Sequence, residues 1–179
     1  MIRIISGIFK GRRIEEPDLT VVRPTTDKIR EAIFSSIQFE IENATVLDLF
    51  GGSGAISIEF ISRQAKEVDL SEKNNKVFNI IKKNTEQLKI KNLNLYNIDA
   101  LKMIELKKEK KYDFIFLDPP YDNQQLLLDS LEKIQEFDIL SDDGKIIIET
   151  NIDNLEFNAK FKLLKLKKYR KTFIYFLGK

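Results

Sequence analysis

From Val46 to Glu149 short apolar runs alternate with amphipathic stretches, and that order admits few folds. Strands at 46–50, 67–70, 93–98, 114–117 and 145–149 are separated by helices at 53–63, 75–88, 100–108 and 124–135, the last strand following an Asp143-Gly144 turn. Runs such as Phe114-Ile115-Phe116-Leu117 are apolar at every position, which marks strands covered on both faces. Strand and helix in strict alternation give an α/β, doubly wound, mostly parallel sheet of the Rossmann-like kind. The pattern changes at the end, where 161–167 and 173–177 read as strands separated by too few residues for a helix. An antiparallel hairpin should therefore close a seven-stranded sheet. In front of the alternation, 3–5 and 12–15 flank Gly7 and Gly11 as a small hairpin-like extension, within an N-terminal segment 1–24. Pro24 then enforces an extended entry, and Thr25 or Thr26 caps a helix reaching about residue 37. With no low-complexity linker and 179 residues, the expectation is one domain.

Composition narrows the chemistry. The chain has neither Cys nor His, so thiolate nucleophiles, Cys-type zinc sites and imidazole bases are excluded, and no metal is expected. Acids, hydroxyls and backbone must do the work. No apolar run approaches a membrane span and no signal-peptide pattern opens the chain, so a cytosolic monomer is expected.

Charge is uneven. Residues 1–30 carry seven basic and four acidic side chains, residues 160–179 carry eight basic and none acidic, and the part between is net acidic. Such separation fits a polyanionic partner gripped by both ends. The lysines of the tail have a second explanation, the protection of an edge strand from aggregation. Five of the seven arginines lie within the first 30 residues, among 23 lysines elsewhere and alongside. A planar guanidinium reads phosphate and base edges as an ammonium does not. Arg3, Lys10, Arg12, Arg13, Arg23 and Arg30 are thus candidate nucleic-acid contacts.

Four strand ends carry acids, and open α/β sheets bind ligands at that edge. The first strand runs into Asp48-Leu49-Phe50-Gly51-Gly52-Ser53-Gly54. It lacks the G-x-G-x-x-G spacing of a dinucleotide site and the lysine of a P-loop, so the turn suits a nucleoside without pyrophosphate. Phe50, Gly52, Ser53 and Gly54 would contact this ligand, and Asp48 would face a cation or an amine. Glu72, ending the second strand, can accept from two ribose hydroxyls, and Asp99, ending the third, from the amine of an adenine. The fourth end is Asp118-Pro119-Pro120-Tyr121: an acceptor carboxylate, proline-locked carbonyls and a stacking ring, a receptor for a base with an exocyclic amine. Together these describe an S-adenosylmethionine pocket beside a base pocket.

Over nearly its whole length the chain resembles the bacterial small-subunit rRNA guanine-N2 methyltransferases of the RsmD type, class I S-adenosylmethionine-dependent enzymes. The resemblance rests on Arg3-Ile4-Ile5-Ser6-Gly7 with Lys10-Gly11-Arg12-Arg13, on Arg23-Pro24-Thr25-Thr26 with Arg30-Glu31-Ala32-Ile33-Phe34, on the glycine turn through Ala55, and on the Asp-Pro-Pro-Tyr block. Gly51 and Ser53 stand where Ala and Thr are usual. The resemblance implies methyl transfer to guanine N2 in rRNA, within the small subunit or an assembly intermediate. The tetrapeptide also occurs in DNA amino-methyltransferases, so the residues by themselves leave an N6-adenine DNA methyltransferase open, and beside it a non-catalytic RNA-binding assembly factor.

Overall fold

The computed structural model describes residues 1–18, 25–157 and 160–179. Its sheet is built from β3 (Thr45–Asp48), β4 (Glu67–Ser71), β5 (Leu93–Tyr96), β6 (Tyr112–Leu117), β7 (Leu140–Thr150), β8 (Lys162–Tyr169) and β9 (Thr172–Gly178) in the order β5-β4-β3-β6-β7-β9-β8. The first five strands in that order are parallel, and β9 enters antiparallel between β7 and β8. The expected mostly parallel seven-stranded sheet with an antiparallel C-terminal hairpin is what forms. From β3 the chain winds outward to β4 and β5, then returns to the other side for β6 and β7. The strand order therefore reverses between β3 and β6, which opens a crevice at their C-terminal ends.

The sheet divides two apolar layers, as strands with alternating faces require. Val46, Phe114, Phe116, Ile147 and Ile174 pack with α1 (Asp27–Ile37), α2 (Ala55–Ser62) and α3 (Asn75–Gln87). Leu47, Ile115, Leu117, Ile146 and Ile148 pack on the other side with α4 (Ala100–Leu106) and α5 (Gln124–Glu136). Thr26 caps α1 by accepting from the Ile29 amide. Every residue of α2 is buried, including Ser57, Glu59 and Ser62. A helix apolar all round must be covered on every side, and the N-terminal segment supplies the missing cover.

That segment holds two short strands, β1 (Ile2–Arg3) and β2 (Arg13–Ile14), shorter than the pattern indicated. Ile2, Ile4 and Ile14 enter the core, and buried side chains stand in for ladder partners of the backbone. Glu59 accepts from the Ile5 amide at 2.7 Å, Asn84 both accepts from and donates to the backbone of Glu15, and the Ser62 hydroxyl accepts from the Phe9 amide. Gly7, at φ 81°, lies so close that a Cβ would sit 1.8 Å from the Ser62 carbonyl oxygen. Only glycine fits there.

Asp143-Gly144 does not start a strand. Leu140 pairs with Tyr112 and Lys145 with Phe114, so residues 141–144 bulge out of one continuous strand. α2 begins at Ala55 rather than residue 53, because the glycine turn continues through Gly54 at φ 77°.

Candidate active site

The crevice at the switch point is a cleft of about 770 Å³. One wall is the glycine turn with Leu49, Phe50, Gly52, Ser71 and Glu72; the floor includes Asp99 and Leu101; the other wall is residues 118–123. The turn is tightly drawn: the Gly51 amide donates to Ser71 O at 2.8 Å and the Gly54 amide to Gly51 O at 2.7 Å. At Gly51 an added Cβ would meet Leu70 Cδ2 at 2.6 Å, so the backbone there lies directly on β4.

Glu72 is held from two sides, accepting from the Gly52 amide at 3.0 Å and the Asn74 amide at 2.7 Å. Each carboxylate oxygen offers two acceptor directions, so a carboxylate pinned in this way still accepts from ligand hydroxyls. Asp99 lines the cleft and also caps α4, accepting from the Lys102 amide at 3.0 Å. Phe50 and Gly52 line the cleft as expected.

Asp48, Ser53 and Gly54 are placed differently. Asp48 is 1 % exposed and lies beneath the turn, accepting from Ser57 Oγ at 2.7 Å and from the Phe50 amide at 3.3 Å. It organises the turn from below, because its alternation with Val46 turns it toward α2. Burial pushes its carboxyl up to about 6, against the lowering effect of the two hydrogen bonds, and the nearby charge of Glu72 adds to the rise. Ser53 is buried and accepts from the Ala55 amide, and Gly54 caps α2. Both shape the turn without lining the cleft.

On the opposite wall Asp118, Pro119, Pro120 and Tyr121 all line the cleft. The Pro120 carbonyl accepts from the Asn123 amide at 2.9 Å, closing the turn into α5, which Asn123 caps by accepting from the Leu126 amide. The sequence reading missed Glu149, which ends β7, is 5 % exposed, lines the same cleft and accepts from Thr25 Oγ1 at 2.6 Å. Its signal was present: Ile146-Ile147-Ile148-Glu149 is a fifth apolar run ending in an acid. Thr25 belongs to the Arg-Pro-Thr-Thr block, so this bond ties that N-terminal block to the cleft.

Among the candidate nucleic-acid contacts, Arg3, Lys10, Arg12 and Arg13 are exposed. Arg23 lies outside the described residues. Arg30 is a correction, because its side chain is fully buried, donating to the Arg3 carbonyl at 2.9 Å and to Asp27 at 2.6 Å. It anchors the N-terminal segment to α1 and presents nothing to a phosphate. On β8, Lys167 donates to the Ala32 carbonyl and Lys168 to Asp153. No helix among the described residues is long and apolar enough to cross a membrane.

Comparison with known proteins adds to this geometry. The chain is similar to Ribosomal RNA small subunit methyltransferase D of Escherichia coli (strain K12), 34% identical over 153 residues that make up 86% of this chain and 76% of that one. A protein of the same name from Buchnera aphidicola is 42% identical over 120 residues, 67% of this chain and 63% of the relative's length. Among solved structures, a putative methyltransferase, yhhF, from Escherichia coli superposes with a TM-score of 0.89 at 30% identity, covering 98% of this chain and 96% of that one. The family model described as Conserved hypothetical protein 95 matches residues 2–178, and the chain belongs to that family.

Proposed function

We propose that the protein transfers a methyl group from S-adenosylmethionine to the N2 amine of a guanine in small-subunit rRNA, within the small ribosomal subunit or an assembly intermediate. The observation that carries this reading is one cleft, at the switch point of the sheet, walled on one side by a glycine turn with a pinned acid and on the other by Asp-Pro-Pro-Tyr. The names of the relatives support the class of reaction and of substrate.

The cleft fits the donor: Glu72 suits ribose hydroxyls, Gly52 brings bare backbone to the ligand, and Phe50 and Leu101 offer apolar cover for an adenine whose amine Asp99 accepts. The donor supplies a methyl already activated by its sulfonium. The protein's part is positioning. The lone pair of guanine N2 is conjugated into the ring; hydrogen bonds from its two N–H groups to Asp118 and to the Pro119 carbonyl draw that nitrogen out of conjugation, and once the N–CH3 bond has formed and the S–CH3 bond has broken, one proton leaves the nitrogen by way of the Asp118 carboxylate to solvent. Tyr121 stacks on the ring. Alignment of two bound reactants contributes about 7 to 11 kcal/mol to lowering such a barrier. The amine of a paired guanine is engaged, so the base enters unpaired or flipped out. Arg3, Lys10, Arg12 and Arg13, exposed on the N-terminal segment, hold phosphates of the RNA.

The test is transfer of labelled methyl to protein-free rRNA, to small subunits lacking the modification and to DNA, followed by nucleoside analysis. N2-methylguanosine from rRNA is expected; N6-methyladenine from DNA would replace this reading with another. Within it, Asp118→Ala should lower single-turnover rate by several orders of magnitude while ligand binding survives. Asp118→Asn, which keeps an acceptor but loses the charge, should cost about tenfold, the difference of about 1 to 2 kcal/mol between charged and neutral hydrogen bonds.

A further inference from the structure

The register of β6 and β7 directs a second carboxylate toward the cleft that Asp118 lines. Paired positions on β6 and β7 run as far as Leu117 with Ile148, and one more step in the same register sets Asp118 next to Glu149. Neighbouring strands lie about 4.8 Å apart, and laterally paired residues share a face. Glu149 pairs on its other side with Ile174, which packs in the layer of α1 and α2, so its side chain faces that layer, and the alternation of Phe114 and Phe116, carried one step beyond the strand, brings Asp118 to the same side. Both line the cleft. Glu149 is also fixed: it is 5 % exposed, and the Thr25 hydroxyl, one residue before the cap of α1, donates to it at 2.6 Å.

Two adjacent acceptors are a reading head for one base edge. Guanine presents N1–H and the N2 amine side by side, donors both; adenine presents its amine beside N1, an acceptor. An ionised carboxylate only accepts. A pair of carboxylates therefore matches guanine and sets a lone pair of adenine N1 against a negative oxygen.

We propose that Glu149 selects the base: its carboxylate accepts N1–H of the target guanine while Asp118 accepts from the N2 amine, with Thr25 holding Glu149 in place. This rests on guanine-N2 methylation as the reaction. The Watson–Crick edge of the target is then read by the ends of β6 and β7, and the Arg-Pro-Thr-Thr block has a part in recognition through Thr25.

The experiment uses 2-aminopurine, which keeps the N2 amine and lacks N1–H together with O6, so the share owed to N1–H is read from the change of preference in the Glu149 variant. Once nucleoside analysis has located the methylated guanine, small-subunit rRNA is assembled with 2-aminopurine at that position. Two readouts follow: single-turnover methyl transfer, and, with the demethylated cofactor product bound, affinity for the analogue from the fluorescence it gains on leaving the stack and for guanine from competition by the unmodified RNA. Sites built to hydrogen-bond a donor reject analogues lacking it by up to about 10⁴–10⁵, so the wild type is expected to favour guanine by at least about 100-fold. In Glu149→Gln the amide can turn its NH2 toward N1 of the analogue, and the preference should fall about tenfold or more in both readouts. Thr25→Val, which frees the carboxylate from its donor, should narrow the preference less. If the wild type treats both bases alike, the proposal is overturned. It is equally overturned if Glu149→Gln slows both bases by the same factor and leaves the ratio intact, which is what a structural role would do. Should the Gln variant not fold, the wild-type ratio and Thr25→Val decide in the same terms. Failure of the wild type to methylate any guanine in rRNA would remove the functional reading and this proposal together, a result distinct from an unchanged ratio.

Discussion

Asp48 and Asp69 are buried in neighbouring strands, one facing each helical layer, and the protein satisfies them in opposite ways. Asp69, fully buried on β4, accepts from Tyr112 at 2.6 Å, Lys110 at 2.7 Å and Asn94 at 2.8 Å, with Lys107 at 3.5 Å. Burial alone would raise its pKa, but the hydrogen bonds from Lys110, Tyr112 and Asn94 and the charge of Lys110 outweigh that and hold it below the usual carboxylate value. Asp48 has only neutral donors, a hydroxyl and an amide, and stays high. Asp69 lies in the body of the sheet, where a compensated charge locks β4, β5 and β6 together. Asp48 lies under the turn that forms the wall of the cleft, where its charge is left for whatever binds above. The contrast separates scaffold from site by the company each acid keeps.

The largest effect should come from breaking the compensated cluster. Asp69→Ala leaves Lys107 and Lys110 partly buried without their shared partner and leaves the buried Tyr112 hydroxyl unanswered. Removing one member of a buried ion pair costs about 3–5 kcal/mol, and the value here should fall near the lower end because Lys110 also reaches Glu67 at 3.0 Å. Urea denaturation at pH 7 measures it. A loss below about 1 kcal/mol would mean that the cluster is incidental. The folded pKa of Asp69 is depressed, so its contribution is present above the unfolded value near 4 and disappears as the pH falls further.

Asp48 should show the reverse slope and a somewhat smaller effect. Its folded pKa is raised from 3.8 to about 6, so the stability it contributes is complete below pH 4 and is lost as the pH rises through 6. A shift of about two units corresponds to about 3 kcal/mol. Asp48→Asn should remove that declining limb and raise stability at pH 7 by about 2 kcal/mol, its amide accepting from Phe50 and donating to Ser57. Denaturation midpoints from pH 4 to 7 are the measurement. Asp138, drawn down to about 2 by Lys111 and Lys179, titrates outside that window. An unchanged slope in the variant would show that Asp48 is not the group responsible.

These two acids also show what a sequence discloses and what it withholds. The parallel strands were legible because burial on both faces leaves apolar runs such as 114–117, and the cleft was legible because acids and prolines stand at strand ends. Which strand-end acid meets the cleft depends on what holds it: Asp48 shares the parity of Val46 and turns toward Ser57 of α2, whereas Glu72 is held at the cleft by the amides of Gly52 and Asn74. Arg30 could have been placed correctly, since it lies at helical spacing from Ile33, Phe34 and Ile37 and hence on the buried stripe of α1. The bulge in β7 had no such signal. Asp143-Gly144 reads the same whether the chain turns there or loops out between two paired segments, and the pairing of Leu140 with Tyr112 decides it.

A smaller perturbation tests whether the turn itself sets the state of Asp48. Gly51→Ala places a methyl 2.6 Å from Leu70 Cδ2, 3.0 Å from Leu70 Cγ and 3.1 Å from Ile81 Cδ1. Overpacking of this kind costs about 1–3 kcal/mol, and the lower half of that range is expected because the two end methyls can rotate away and only Leu70 Cγ has to shift with its side chain. Leu70→Val in the same chain should recover most of it. The pH slope assigned to Asp48 should keep its midpoint, since the contact lies on the β4 side of the turn. A displaced midpoint would show that the turn and Asp48 move as one unit.

The smallest effect is the most direct reading of the uncompensated charge. At pH 6 Asp48 is about half protonated in the free protein. A sulfonium bound in the cleft above would favour the ionised form, so binding S-adenosylmethionine should release a fraction of a proton, at most about half. The demethylated product lacks the sulfonium charge and should release less. Calorimetry at pH 6 in buffers of different ionisation enthalpy gives the number directly, as the slope of observed heat against buffer enthalpy. Asp69 should not contribute, because it is already ionised at that pH and its lysines fix its charge. In Asp48→Asn the slope should fall toward zero. A slope that survives in the variant would show that Asp48 is not the group that releases the proton, and the distinction between a compensated and a waiting carboxylate would fall with it.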